Sequence, residues 1–150
     1  MDELVVHKDD FSISTEKSKL DLKGIHHFLS TQAYWSLNIP FKKVEKAAAN
    51  SLCFGLYFGE QQIGYARIIS DYTTVAYLGD VFVLPEYRGL GLSKWMMQTI
   101  MSHPELQGLR RWILLTGDAH GLYEQFGWKG IASPERWMEL HNKDIYTTEH

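Results

Sequence analysis

Residues Asp80 to Lys94, reading DVFVLPEYRGLGLSK, limit the possible folds more than any other stretch of the chain. An apolar run of strand type stops at Pro85, which fixes its own φ and lacks an N–H. Past a glycine-bearing loop, Leu92, Trp95, Met96, Thr99 and Ile100 recur at helical spacing along one stripe. The next apolar run, Arg111 to Thr116, holds Trp112, Ile113, Leu114 and Leu115 without interruption, the pattern of a strand covered on both faces. A helical crossover between two such strands makes them parallel. The loop itself has a distinctive chemistry. The first N–H groups of a helix lack partners and the dipole is positive there, so Gly89 and Gly91 would let a diphosphate approach the main chain while Arg88 adds a full charge. The same residues also suit a plain strand-to-helix turn, and the loop alone leaves both readings open. A nucleoside-triphosphate loop fits poorly, because Ser93-Lys94 stands in the wrong order. A dinucleotide fold would need its glycines after the first strand of an alternating series.

The remaining chain frames that unit. Met1 to Asp10 is polar and without period, and reads as a loose lead-in to a strand at Phe11 to Thr15. Leu22, Ile25 and Leu29 after Asp21, and Phe41, Val44 and Ala48 after Pro40, predict two amphipathic helices joined by Gln32 to Ile39. Two apolar runs between Leu52 and Ile69 flank the turn residues Gly59 to Gln62, a hairpin pattern. A strand from about Val75 to Leu84 extends it into an antiparallel meander. Ala119, Leu122, Tyr123 and Phe126 predict a short helix ended by Gly127, and Trp137 to Leu140 a closing strand. The sum is an α+β fold: a mixed, mostly antiparallel central sheet with helices on both faces and one parallel pair near its middle.

With 150 residues, 45% of them hydrophobic, the chain reads as one domain over 1–150. A formal charge of -3, without a basic stripe, argues against nucleic acid as a partner. No leader pattern and no long uncharged apolar run is present, which predicts a cytoplasmic protein with no membrane partner. The single cysteine, Cys53, sits between Leu52 and Phe54 as core filling, and the histidines show no metal-ligand spacing.

Arg88-Gly89-Leu90-Gly91-Leu92-Ser93 resembles the acetyl-CoA pyrophosphate signature of the GNAT N-acetyltransferase family. Ser93 stands where that family prefers Gly or Ala, and its hydroxyl can donate to a phosphate oxygen. His120 to Trp128, HGLYEQFGW, resembles the family's Leu-Tyr helix that ends in Gly-aromatic. Thr116 occupies the place where the family often has a pantetheine-binding Asn.

The resemblance implies a GNAT-like fold in which the strand ending at Leu84 and the strand ending at Thr116 splay apart to admit the pantetheine arm. Unpaired main chain at Val81 and Val83 would then bind the pantetheine amides, with the Val81 N–H aimed at the thioester carbonyl. The implied reaction is acetyl transfer from acetyl-CoA to a primary amine of a small molecule, by direct attack in a ternary complex. A CoA-binding regulatory module without turnover, or acetylation of a protein amine, is the alternative.

Tyr123 matches the family's general-acid tyrosine; it would otherwise be a core aromatic beside Leu122 and Phe126. Asp80, a carboxylate in an apolar strand, is the candidate base, or else an ion-pair partner of Arg67 or an anchor for the substrate ammonium. Asp118 and His120 are further candidates near the same junction. Tyr34, Trp35 and Tyr72 are expected to form an aromatic wall for the acceptor, or to be ordinary packing. A homodimer through exposed strand edges is common in the family.

Overall fold

In the computed structural model, which describes residues 1–146, the first helix begins where the Asp21 carboxylate accepts from the Gly24 N–H. This helix, α1, runs Leu22–Thr31, and α2 follows Pro40 over Phe41–Ala49. Six strands make the sheet: β1 Val5–Lys8, β2 Phe11–Ser14, β3 Leu52–Phe58, β4 Gln61–Ser70, β5 Val75–Val83 and β6 Arg111–Leu114. Helix α3, Leu92–Met101, crosses between β5 and β6, and the short α4, His120–Glu124, follows β6. The spatial order is β1-β2-β3-β4-β5-β6, with every pair antiparallel except β5 and β6. The fold is therefore the expected α+β arrangement.

Strand alternation divides the core into two layers. Leu52, Phe54 and Leu56 of β3 lie in one buried cluster with Met96, Met97 and Ile100 of α3. Cys53 belongs to the other cluster, together with Ile25, Phe28 and Leu29 of α1, Val44 and Ala48 of α2, and Tyr65 and Phe82. Phe28 stacks on Phe82 with ring centroids 4.0 Å apart, which seats α1 on the sheet.

Three expectations are corrected. The presumed lead-in contains β1, which pairs with β2 from Val5↔Ser14 to Lys8↔Phe11. Asp9, at φ 56, makes the tight turn between them, a conformation that Asp tolerates better than most residues. The closing strand at Trp137 to Leu140 does not form, and Met138 and Leu140 stand fully in the open. The parallel pair consequently lies at the sheet edge. β6 is only half covered, and Leu115 beyond it is 79% exposed.

Phe54 is fully buried between β3 and α3. Phe54→Ala should lower unfolding stability by about 3–5 kcal/mol in urea titration. Met138→Ala, at a site 97% exposed, should change it by less than about 0.5 kcal/mol.

Candidate active site

The site begins where two strands part. β5 and β6 pair only from Val75↔Arg111 to Leu78↔Leu114. β5 then continues to Val83 while β6 ends, so a gap opens beyond Leu78. A β-bulge marks the same place: Arg67 faces Gly79 and Tyr65 faces Phe82, which leaves Asp80 and Val81 together opposite Ala66. Asp80 adopts φ 55, and the bulge re-aims its side chain. The Leu84 N–H donates to the Ile63 carbonyl at 2.8 Å, so by alternation the Val83 main chain faces the open side. The Val83 carbonyl already accepts from Arg88 Nε at 3.0 Å.

At the far end of β5, a turn at Pro85–Tyr87 leads into the loop. Gly89 and Gly91 sit at φ 81 and 78, a region that favours glycine, and a Cβ at either would meet nothing within 4 Å. Helix α3 starts with no side-chain cap, in contrast to the Asp21 cap on α1. Among the described residues, none accepts a hydrogen bond from the main-chain N–H groups of Gly89 to Lys94. A row of unpaired donors at a helix N-terminus, beside the exposed Arg88, has the chemistry that suits an anion.

The opposite wall is the turn after β6. Thr116 Oγ1 accepts from the Ala119 N–H at 3.0 Å and, more weakly, from Asp118 at 3.4 Å, so the hydroxyl orders the entry to α4. Tyr123 on α4 is 7% exposed and packs in the core cluster with its ring 5.9 Å from Trp128. Burial, with smaller contributions from Asp118 and Tyr34, pushes its phenol up to about 12. The ring is thus a core aromatic carrying a hydroxyl that stays protonated through neutral pH.

The α1–α2 connection touches both walls. Trp35 Nε1 donates to Asp80 Oδ1 at 3.0 Å, and the Gly117 N–H donates to the Tyr34 hydroxyl at 2.7 Å. The two rings meet edge to face at 5.1 Å. A Cβ at Gly117 would lie 2.9 Å from the Tyr34 oxygen, so a larger residue there would shift the Tyr34 ring. Sequence reasoning missed Gly117, and only its place between Thr116 and Asp118 hinted at it.

The Asp80 carboxylate also forms the ion pair weighed from sequence: Arg67 Nε donates to Oδ2 at 2.8 Å, and Arg67 Nη1 reaches Ser51 Oγ at 3.2 Å. Tyr72 is set apart from Tyr34 and Trp35. It occupies the β4–β5 turn at the other end of β5 and packs against the α3-side cluster. Cys53 is fully buried, and burial pushes its thiol up, away from nucleophilic use.

The chain thus combines a mixed sheet, a parallel pair that parts after four residues, and a helix with no side-chain cap following the longer strand of that pair. Residues 22–128 match the acetyltransferase (GNAT) family. A crystal structure from Xanthomonas campestris pv. campestris, described as belonging to that family, is 48% identical; it aligns over 92% of this chain and 97% of its own, with a TM-score of 0.90. A Gibberella zeae protein classed with acetyltransferases is 33% identical over 83% of this chain and 88% of its own length. A Clostridium acetobutylicum structure containing acetyl-CoA shares the fold at a TM-score of 0.66 and 15% identity, covering 93% of this chain and 98% of its own. The chain belongs to the GNAT acetyltransferase family, whose usual acyl donor is acetyl-CoA. No helix among the described residues is long and apolar enough to cross a membrane.

Tyr57 is likewise buried, and burial pushes it up to about 12 from an ordinary 10. A folded-state pKa raised above the unfolded one contributes stability that is complete below pH 10 and is lost as pH rises toward 12. Urea midpoints should therefore begin to fall above about pH 9, as the Cys53 thiol is favoured neutral, and fall more steeply above pH 10, where Tyr123→Phe should make the fall shallower.

Proposed function

We propose that the chain transfers an acetyl group from acetyl-CoA to the primary amine of a small molecule, by direct attack with both substrates bound. The uncapped start of α3 carries this reading: six consecutive N–H groups, Gly89 to Lys94, have no acceptor among the described residues and lie at the mouth of the β5–β6 gap. Gly89, Leu90, Gly91, Leu92 and Ser93 would hold the diphosphate through their main chain, with Arg88 and the Ser93 hydroxyl adding charge and a further donor. The pantetheine arm would then run along Val81 and Val83. The Thr116 hydroxyl, which only accepts in the turn, keeps its own proton for that arm.

In the chemical step the amine nitrogen forms a bond to the acetyl carbon and the carbon–sulfur bond breaks. The ammonium first loses a proton, for which Asp80 is the proposed acceptor. Arg67 and Trp35 each take one lone pair of its carboxylate and leave the others available. The Val81 N–H would stabilise charge on the carbonyl oxygen. Tyr123 would donate its phenolic proton to the departing thiolate and be reprotonated by the second proton leaving the nitrogen, while Asp80 passes its proton to solvent, so that the net result is an amide, free CoA thiol and one released proton. Tyr34 and Trp35 favour a small acceptor, because they fasten the α1–α2 connection across the gap, to Gly117 on one side and Asp80 on the other.

Release of free thiol from acetyl-CoA, followed across a panel of small amines, tests the reading. Tyr123→Phe should lower kcat by about 10²–10³ with little change in the KM for acetyl-CoA, and Asp80→Asn should lower kcat by a similar factor. Arg88→Gln should instead raise the KM for acetyl-CoA by about tenfold. Full turnover by Tyr123→Phe at every pH would remove the tyrosine from the mechanism. Absence of thiol release with any amine, despite CoA binding, would leave a binding module.

A further inference from the structure

The start of β6 lies far from the phosphate loop. Val75 pairs with Arg111, and the strand from Val75 to Val83 covers about 26 Å at the usual rise. Here the segment after α4 returns to β6 and leaves an open cleft of about 540 Å³. Its walls carry Arg110, Arg111, Lys129 and Arg136, and no Asp or Glu. The single ion pair within 4 Å among the described residues is Arg67 with Asp80, so none of these four cations has a described carboxylate partner. Arg111 lies instead 5.3 Å from the centre of the Trp137 ring, an arrangement that fixes the guanidinium without neutralising it.

Four like charges around one cleft repel one another, and a chain of net charge -3 has carboxylates enough to offset them. We propose that this cleft binds a small anion bearing two or more negative charges, an oligophosphate or polycarboxylate, between Arg110, Arg111, Lys129 and Arg136. The cleft falls in the size range of small-ligand pockets, and the positive charge is gathered in one hollow instead of extending as the stripe a nucleic-acid backbone needs. The side chains involved are separate from the acetyl-transfer residues, and the inference does not depend on that reaction.

Calorimetric titration at low salt tests the assignment, with tripolyphosphate, ATP and citrate as probes and the protein saturated with CoA to fill the α3 loop. At least one probe should bind, and tripolyphosphate against citrate separates a phosphate ligand from a carboxylate ligand. Arg110→Gln and Arg136→Gln should each weaken binding by about tenfold, Lys129→Gln less, and added salt should weaken it further. Acetyl-transfer rates of these variants should stay unchanged, and Arg88→Gln protein titrated without CoA should retain the site. The proposal is overturned if no probe binds the CoA-saturated protein, if CoA abolishes binding, or if the Arg110→Gln/Arg136→Gln double variant binds as tightly as the parent.

Discussion

The divergence of β5 from β6 after Leu78 and Leu114 is the constraint on which the rest of the site depends. A sheet normally satisfies its main chain through its neighbours, and buried unpaired groups are costly. Here one strand is only four residues long while its neighbour runs on, and the edge of β5 beyond Leu78 is left without a strand partner on that side. The bulge at Asp80 and Val81 sits on that same stretch. It takes β5 out of register with β4 and sets a carboxylate beside the gap.

Asp80 shows how a half-buried charge can be kept available. Its side chain is 14% exposed and that of Arg67 18%, so the pair escapes most of the screening that makes surface ion pairs weak. The partners come from different layers: Arg67 from the adjacent strand, and Trp35 from the connection between two helices. Removing either partner would leave the carboxylate under-satisfied in a place where water is scarce. The connection between α1 and α2 thereby reaches both sides of the gap through Tyr34 and Trp35.

Much of this was legible in the chain because local signals agreed with the global fold. Asp21, Pro40, Gly89 and Gly91 each act within a few residues of themselves, and the elements they bound are the observed ones. Contacts across long separations left no such trace. Tyr34 with Gly117 spans 83 residues and Trp35 with Asp80 spans 45, so neither produces a period or a motif. The apolar run Trp112 to Leu115 suggested a covered strand, but continuity of hydrophobic residues cannot reveal whether a further strand lies alongside. Trp137 to Leu140 had strand composition and no pairing, because strand propensity records fit to a half-buried surface more than an intrinsic backbone preference. β1 was missed for the opposite reason: four residues with two polar members, VVHK, are too few to establish alternation.

The placement of β6 at the rim of the sheet has a mechanical consequence. One side of the gap is a long strand braced by β4, and the other is a four-residue strand held by β5 alone. Short peripheral strands lie at the low end of local stability and detach without melting the interior. The two walls of the gap are accordingly unequal in stiffness, and any local loosening of the sheet would begin at the β6 wall while the β5 wall keeps its alignment.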